Sequence, residues 1–443
     1  MPKGPNPLLI LASKLGYQTR SFVEAAQMLG LDAVFATDRC HQLEDPWGDG
    51  AIAVHFEDPE AAAQRVLESG HRFRAVIALG DRPTPAAARI VAALGLPGHT
   101  PAAADACRDK YAARAILARA GLRVPRFKRF ALDHPSAPKP GAPGTPVATP
   151  PAAVARRIAE TVGYPCVLKP LALSGSRGVI RANTPGEAAA AFERIAALLR
   201  SPEIGALRED TSEFIQAESY VAGAEVAVEA LVERGAPRIL ALFDKPDPLA
   251  GPYFEETLYV TPSRLPVEQQ RAVIETLRAA VEALGLSHGP VHAEFRINAG
   301  GVWPLEVAAR SIGGLCSRAL RFTRPGAAYW MSLEEVVIRL ALGEPTKDVA
   351  REPLAAGVMM IPIPRAGIYH GVEGVDEALS LPGVDEVRIT AKPEQKLAPL
   401  PEGGSYLGFI FARAPRPEQV ETALRAAHSR LRFTIGAELP VLR

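Results

Sequence analysis

One stretch, residues 292–314, constrains the fold more than any other, because it reads as two strands joined by a glycine turn. Apolar and polar residues alternate over residues 291–298, as they do in a strand with one buried face. Ala299-Gly300-Gly301 then predicts a tight hairpin turn, since glycine adopts positive φ without a Cβ clash. The second strand is expected to turn three apolar side chains to the face opposite Glu306: Trp303, Leu305 and Val307.

The expected hairpin brings two carboxylates together. If Asn298 pairs with Val302 across the turn, the register places Glu294 directly opposite Glu306 on the same face. Two facing carboxylates repel each other unless a positive group lies between them. Hard oxygen ligands on rigid strands suit Mg²⁺, which binds one or two carboxylates together with substrate phosphates. A solvated sheet face, or plain ion pairs with nearby arginines, is the alternative that this stretch alone leaves open.

Composition narrows the class of protein. A chain of 443 residues suffices for two or three domains, and a net charge of +1 gives no electrostatic reason to expect a nucleic-acid or membrane partner. We see no apolar run of the length of a signal segment or a membrane span. The four cysteines are scattered without a CxxC pair, which favours a reducing compartment and argues against a zinc site. We therefore expect a cytoplasmic protein.

Short apolar runs alternate with helical segments over residues 1–100. This alternation predicts an N-terminal parallel α/β domain. Gly16 and the pair Gly80-Asp81 follow strand ends, where such sheets bind ligands, although a glycine there is more often only a turn. The expected strands are 8–12, 33–35, 51–55 and 75–79, and the expected helices are 21–29, 59–69 and 85–94.

Residues 101–345 are expected to form a central domain. Thr100-Pro101 predicts the start of a helix that runs to residue 120, because a cap residue precedes a proline. Residues 133–153 are rich in Pro, Ala and Gly and predict a surface loop. A short strand at 166–169 leads into a glycine-rich loop whose backbone N–H groups can approach phosphates, though many hairpins carry such loops. Further expected elements are strands at 226–232 and 238–243, a proline-rich loop at 244–253 and an amphipathic helix at 266–284.

A new series of strands and a helix begins after residue 346 and predicts a separate α+β lobe at residues 346–443. This lobe has no dense cluster of polar residues. A structural or oligomerisation role is therefore its simplest interpretation. The expected strands are 355–363, 384–390 and 405–413, followed by a helix at 417–431.

The order and spacing of these features resemble the ATP-grasp superfamily over about residues 1–340. Its members join a carboxylate to an amine or another nucleophile through an acyl-phosphate. The resemblance implies a multi-domain α/β and α+β protein: an N-terminal parallel α/β domain, a central ATP-grasp domain and a C-terminal α+β lobe. It also implies ATP and Mg²⁺ as cofactors, with Mn²⁺ as a substitute for Mg²⁺.

The resemblance assigns nucleotide roles residue by residue. Lys110 and Lys169 are similar to the two ATP lysines of the family, and Ser174-Gly175-Ser176 to its phosphate-covering loop. Glu218 to Val221 resemble the hinge that reads adenine through its backbone. Glu225 resembles the acid that holds the ribose hydroxyls.

The resemblance also covers the metal ligands, with one departure. Glu294 and Glu306 are similar to the two metal-bridging acids of the family. The usual third ligand is an Asn two residues past the second acid, where this sequence has Ala308. Metal coordination is therefore expected to rely on the two glutamates, phosphate oxygens and water.

Two segments, EVAARSIGG and FEETLYVTP, are most similar to the bacilysin-type L-amino-acid ligases, as is the C-terminal lobe. Within that subgroup Arg310 and Gly313 would steady the tetrahedral intermediate and the acyl-phosphate. Glu256 and Tyr259 would lie near the amino-acid pocket. Some relatives carry His at the position of Tyr259, so substrate choice is expected to differ.

The resemblance thus predicts an ATP-dependent ligase that forms an amide between two amino acids and releases ADP and phosphate. Two alternatives stay open. One is an ATP-grasp enzyme of the biotin-carboxylase or purine-synthesis type. The other is a nucleotide-binding protein without ligase activity, which the missing Asn favours. Small-molecule carboxylate and amine substrates are the expected partners, together with a second copy of the chain, since relatives commonly form homodimers.

Overall fold

The structure is a computed structural model that describes residues 6–13, 17–38, 51–132 and 150–437. Its N-terminal part confirms the predicted parallel α/β unit. The elements are β1 (Leu8–Ala12), α1 (Tyr17–Met28), β2 (Ala33–Thr37), β3 (Ala51–Ala53), α2 (Pro59–Leu67), β4 (Ala75–Leu79) and α3 (Thr84–Leu94). The strands pair in parallel in the order β3-β2-β1-β4, and β1 is buried along its whole length, as expected for a sheet with both faces covered. Gly16 lies outside the described residues.

The helix predicted at residues 101–120 is two helices, α4 (Pro101–Arg108) and α5 (Lys110–Arg119). Asp109 separates them in an extended conformation, with φ −96° and ψ 106°. Its carboxylate accepts hydrogen bonds from the backbone N–H groups of Tyr111 and Ala112. The prediction of one continuous helix was wrong because an aspartate can cap a new helix inside an apparently helical run. The break places Lys110 in the first turn of α5.

A small antiparallel sheet follows, which we call the small lobe. Its elements are β5 (Phe127–Ala131), α6 (Pro151–Thr161), β6 (Cys166–Pro170), β7 (Ile180–Ala182), α7 (Pro185–Leu199), α8 (Pro202–Gly205) and β8 (Phe214–Ser219). The strand order is β5-β8-β6-β7. Most of the loop predicted at 133–153 lies outside the described residues, but its end was mispredicted, since Pro151 is the first residue of α6.

The rest of the described chain builds one large sheet, two three-stranded sheets and the helices that pack on them. First come β9 (Ala224–Glu233), β10 (Ala236–Asp244), β11 (Leu258–Thr261), α9 (Val267–Leu284), β12 (Gly289–Asn298), β13 (Gly301–Ala308), β14 (Arg321–Thr323), β15 (Met331–Ser332) and α10 (Leu333–Ala341). Then come β16 (Ala350–Arg351), β17 (Ala355–Ile361), β18 (Gly367–Glu373), α11 (Val375–Leu379), β19 (Val384–Ile389), β20 (Lys396–Leu397), β21 (Gly408–Ala414), α12 (Pro417–His428) and β22 (Arg432–Gly436).

The large sheet is antiparallel, in the order β13-β12-β9-β10-β11-β17-β21-β19. It contains strands from both sides of the predicted boundary at residue 345, because β11 pairs with β17. The C-terminal residues therefore continue the same sheet. None of the helices in the described ranges is long and apolar enough to span a membrane.

In the hairpin of β12 and β13 the two carboxylates lie opposite each other, as predicted, but the strands pair in a different register near the turn. Asn298 pairs with Gly301, one residue earlier than predicted. Leu305 is then an extra residue in β13, a β-bulge that shifts the pairing by one position. The bulge compensates for the tighter turn, so Glu294 does lie opposite Glu306.

The bulge also changes which side chains face the core. Val302 pairs with Ile297 and packs with it in the core, whereas Trp303 lies opposite Arg296 on the polar face. The predicted faces of Trp303 and Leu305 were therefore wrong. A period of two holds along a strand only where no residue is inserted.

Candidate active site

A cavity of about 340 Å³ lies where the small lobe, the large sheet and the end of β4 meet. Every residue that the sequence suggested for a nucleotide, metal, substrate or catalytic role lines it. They are Lys110, Lys169, Ser174, Gly175, Ser176, Glu218, Val221, Glu225, Glu256, Tyr259, Glu294, Glu306, Arg310 and Gly313. Folding thus brings together segments that are far apart in sequence, although their individual roles stay predictions.

One side of the cavity, which we call the lysine end, consists of Lys110, Lys169 and the loop at 174–178. Lys169 lies next to the end of β6 and pairs with Glu218, with Nζ 2.6 Å from Oε2. Glu218 is buried and also accepts from Nε of Arg114 at 2.8 Å. Burial alone would raise the pKa of Glu218, but Arg114 and Lys169 lower it to about 2. Burial lowers the pKa of Lys169, and the pair with Glu218 opposes that effect.

The glycine-rich loop joins β6 to β7, as predicted. Gly175, Ser176 and Gly178 have φ values of 64°, 57° and 75°, a region that side chains other than glycine seldom adopt. Nζ of Lys110 donates to the carbonyl of Leu173 at 2.8 Å, so Lys110 contacts the chain directly before this loop.

The loop is held from the C-terminal side of the molecule, a contact that no sequence pattern suggested. The N–H of Gly178 donates to the carbonyl of Pro401 at 2.8 Å. Nε of Arg177 donates to the carbonyl of Glu402 at 2.7 Å. Gly404 and Tyr406, from the same segment, line the cavity. The C-terminal lobe therefore contributes to the site, contrary to the interpretation that it is only structural.

Arg296 connects the predicted hinge to the predicted ribose acid. Its Nη1 donates to the carbonyl of Val221 at 2.6 Å, and its Nε donates to Oε2 of Glu225 at 2.9 Å. Its guanidinium also lies over the rings of Tyr220 and Phe254, at 5.1 and 5.6 Å from their centroids. These contacts fix the hinge against β12.

Lys245 is the central residue that the sequence analysis missed. It directly follows β10, and its Nζ lies 2.8 Å from Glu225, 2.5 Å from Glu256 and 2.8 Å from Glu294. We call these four residues the acid cluster. Burial opposes the charge of Lys245, yet the three carboxylates raise its pKa well above the usual value. Prolines around it predicted only a loop, so the one signal was a lysine placed directly after a strand.

Two carboxylates of the acid cluster have pKa values shifted in opposite directions. Burial raises the pKa of Glu256 to about 7, with Lys245 opposing and Glu294 adding to the rise. Lys245 and His292 instead hold the pKa of Glu294 well below its usual value, against burial. The hydroxyl of Tyr259 donates to Oε2 of Glu256 at 3.0 Å. Glu294 thus stays ionised, which a metal ligand must be.

The carboxylate pair fits the predicted metal in its chemistry. Glu294 and Glu306 present hard oxygen atoms from paired strands, the kind of donor that Mg²⁺ prefers. The three carboxylates around Lys245 also lie close enough to hold an ion, but the ammonium already bonds all three. Ala308 is buried and offers no side-chain ligand.

Arg310 forms its ion pair with Asp81. A purely structural role as the ion-pair partner of Glu306 is therefore not what the structure shows. Nε and Nη2 of Arg310 lie 2.8 and 3.1 Å from the two carboxylate oxygens of Asp81. Burial would raise the pKa of Asp81, but Arg310 lowers it to about 2. Asp81 follows β4, so this ion pair connects the N-terminal sheet to the cavity, where Gly313 lies three residues beyond Arg310.

A second buried pair lies behind Glu294. Nδ1 of His292 is 3.2 Å from Oε2 of Glu229, and Nε2 is 3.7 Å from Oε1 of Glu294. Burial lowers the pKa of His292, but its hydrogen bonds to both glutamates raise it to about 9. Burial raises the pKa of Glu229. A glutamate inside the apolar run at 226–232 was the signal for this pair, since a buried carboxylate needs a partner.

Comparison with known proteins identifies the protein families that two parts of the chain match. The ATP-grasp domain family matches residues 162–319, and the family of L-amino acid ligase C-terminal domain 2 matches residues 359–436. The chain therefore contains an ATP-grasp domain and, towards its C-terminus, a domain of the kind found in L-amino acid ligases. These matches confirm the predicted ATP-grasp fold and the resemblance to L-amino acid ligases.

Similar proteins of known sequence or structure refine this class. An L-amino acid ligase from Bacillus licheniformis has a crystal structure that superposes with a TM-score of 0.76 at 25% identity, covering 97% of this chain and 98% of that one. The uncharacterized protein y4rH of Sinorhizobium fredii is 27% identical over 77% of this chain and 64% of its own length. An alanine–anticapsin ligase of Bacillus subtilis is 28% identical over 46% of this chain and 41% of its own length. The chain thus matches less than two thirds of the length of these two curated relatives.

Proposed function

We propose that the chain is an ATP-dependent carboxylate–amine ligase. It forms an amide through an acyl-phosphate and releases ADP and phosphate. The observation that carries this proposal is the single cavity, which collects two lysines, a glycine-rich loop, two opposed carboxylates and Arg310. These groups position and stabilise a transferring phosphoryl group, and that reaction needs charge placement more than a covalent nucleophile.

The lysine end and the hinge would bind ATP. Lys110 and Lys169 supply positive charge next to the loop at 174–178, whose backbone N–H groups suit phosphate oxygens. Glu218 to Val221 would face adenine, with Arg296 holding the carbonyl of Val221. Glu225 would accept from the ribose hydroxyls while Arg296 and Lys245 hold its carboxylate.

Glu294 and Glu306 would hold Mg²⁺, or Mn²⁺ in its place. The ion, when bound, neutralises charge on the transferring phosphoryl oxygens. Lys245 and His292 keep Glu294 ionised for this role. With Ala308 at the third position, phosphate oxygens and water complete the coordination.

Two residues would act on the acyl group. Arg310 offers a planar fork of donors to the oxygens of the acyl-phosphate and of the tetrahedral intermediate. Gly313 lines the cavity beside it and lets the backbone approach those oxygens. Glu256 and Tyr259 border the part of the cavity that would receive the amino-acid substrate.

Amino acids are the proposed substrates. The support is the matching C-terminal domain and the likeness to an L-amino acid ligase over nearly the whole of both chains. ADP release should be screened with the twenty amino acids singly and in pairs, and products identified by mass spectrometry. Release that requires a pair, with a dipeptide as product, is the expected result. Release with bicarbonate or a ribosyl-amine would favour the other ATP-grasp chemistry, and ATP binding without release would contradict a ligase.

A further inference from the structure

Glu229 is a buried carboxylate that the proposed function does not use. It lies in the middle of β9 and is fully buried, and both of its neighbours along the strand are apolar. A carboxylate in the interior destabilises the fold unless its partners satisfy it. A hydrophobic residue would serve packing better at this position, so the partners of Glu229 indicate why a glutamate is present.

The first partner is the backbone of the loop that carries Gly313. The N–H of Ile312 donates to both carboxylate oxygens of Glu229, at 3.0 and 3.2 Å. The carbonyl of Ile312 accepts from Nε2 of Gln18 at 3.3 Å. Both backbone polar groups of Ile312 are therefore held, between Arg310 and Gly313.

The second partner is His292, which lies directly opposite Glu229 in the pairing of β9 with β12. One ring nitrogen is 3.2 Å from Glu229, and the other is 3.7 Å from Glu294. A continuous line of polar contacts thus runs from the backbone of Ile312 through Glu229 and His292 to Glu294.

We propose that Glu229 and His292 are positioning residues that set the distance between Glu294 and the loop at 310–314. The role in turnover rests on the proposed function, because the two ends of the line must act on the same phosphoryl group. A displacement of about 1 Å at a reacting centre can lower a rate by about 10²-fold. Two buried side chains, joined across paired strands, hold such a distance better than a surface loop does.

Three variants test the role in turnover. Glu229→Gln keeps the size and one acceptor oxygen, Glu229→Ala removes both oxygens, and His292→Gln removes the ring. Glu334→Gln is the matched control, since Glu334 is also buried, accepts from Ser317 at 2.6 Å and does not line the cavity. We expect kcat to fall by about 10²-fold for Glu229→Ala and less for Glu229→Gln, with KM for ATP within about twofold.

A double variant separates positioning from packing. If the two residues act as one unit, Glu229→Gln with His292→Gln should lose no more kcat than the worse single variant. The proposal would be overturned if the double variant lost kcat by the product of the two single losses. It would also be overturned if kcat per folded molecule fell only in proportion to melting temperature, to the same extent in Glu229→Gln as in Glu334→Gln.

Amide hydrogen exchange over residues 310–316 tests the same idea without turnover. Glu229→Ala should speed exchange of this segment, while Glu334→Gln should not, at temperatures where both variants are folded. Unchanged exchange would overturn the proposal even in an active enzyme. A wild-type protein that releases no ADP with any substrate would instead count against the proposed function alone.

Discussion

The lysine end of the cavity is made of short segments that the sequence marks one at a time, whereas the acid cluster exists only after three strands have paired. At the lysine end each cation meets a loop or a single acid: Lys110 bonds the carbonyl of Leu173, and Lys169 pairs with Glu218. In the acid cluster one ammonium serves three carboxylates. The lysine end can therefore rearrange around a ligand, while the acid cluster has to be preorganised.

Replacing Lys245 should have the largest effect of the predicted changes. Lys245→Met keeps the length of the side chain but leaves three carboxylates without their shared cation. Removing one partner of a buried ion pair costs about 3–5 kcal/mol, so the free energy of unfolding in urea should fall by that order. Lys169→Met is the control from the lysine end, where Glu218 retains Arg114, and its loss should be smaller.

Divalent cations sharpen this prediction. The carboxylate oxygens around Lys245 lie within 4.8 Å of one another, close enough for one ion. The melting temperature of Lys245→Met should therefore rise with Mg²⁺ more than that of the wild type. Equal losses for the two lysine variants would show that the two ends do not differ as we infer.

The metal pair should give the next largest effect, measured in turnover. Glu294→Gln and Glu306→Gln keep size but remove charge, so kcat should fall by about 10²-fold or more in each. Only the first change also removes a partner of Lys245, so melting temperature should drop for Glu294→Gln and hold for Glu306→Gln. Near-normal turnover of both variants at saturating Mg²⁺ would remove the metal assignment.

Arg310→Lys distinguishes a catalytic residue from a structural one. If the guanidinium fork acts on the intermediate, the variant should fold and bind ATP normally yet lose kcat by about 10-fold or more, because the lost interaction exists mainly in the transition state. If the pair with Asp81 is only structural, melting temperature should fall while kcat stays intact. Asp81→Asn is the matched change, since it weakens the pair and leaves the guanidinium in place.

The smallest effect concerns the glycine-rich loop. Closure of this loop would keep water from an acyl-phosphate, so amide exchange over residues 174–178 should slow with ATP and Mg²⁺. Glu402 lies on the C-terminal segment that contacts the loop, and its side chain pairs with Arg194. Glu402→Ala removes this exposed ion pair and should raise amide exchange of the loop only slightly, since exposed ion pairs contribute little to stability. If residues 174–178 exchanged equally fast with and without nucleotide, the loop would be a plain hairpin connection and not a lid over the phosphates.

Strand alternation, a local property, predicted the N-terminal parallel α/β domain. The family resemblance, carried by the order and spacing of motifs, supplied most of the residues that meet in the cavity. The opposed carboxylates are instructive. The prediction that Glu294 faces Glu306 was right, but the turn is one residue shorter than expected, and the bulge at Leu305 compensates for it. A bulge depends on how two strands fit together, and no spacing within one strand reveals it.

The contacts that the sequence did not reveal join elements that are far apart in the chain, and many of them involve a charged side chain. The sequence neighbours of Lys245, Asp81 and Glu229 do not identify the partners of these residues. Their meaning comes from partners on other elements: Lys245 with three acids, Asp81 with Arg310, and Glu229 with Ile312 and His292. A single sequence shows that a buried charge needs a partner but not which partner it finds.

The pairing of β11 with β17 has a consequence for protein engineering. Leu258 and Val260 of β11 pack in the same core as Ile410 of β21 and Leu424 of α12. A chain cut at residue 345 would bare that apolar surface and leave β11 as an unpaired edge, which invites aggregation. Exchange of C-terminal segments between related ligases therefore cannot treat the segment as a removable module. A chimaera would have to carry over the matching face of β11 as well.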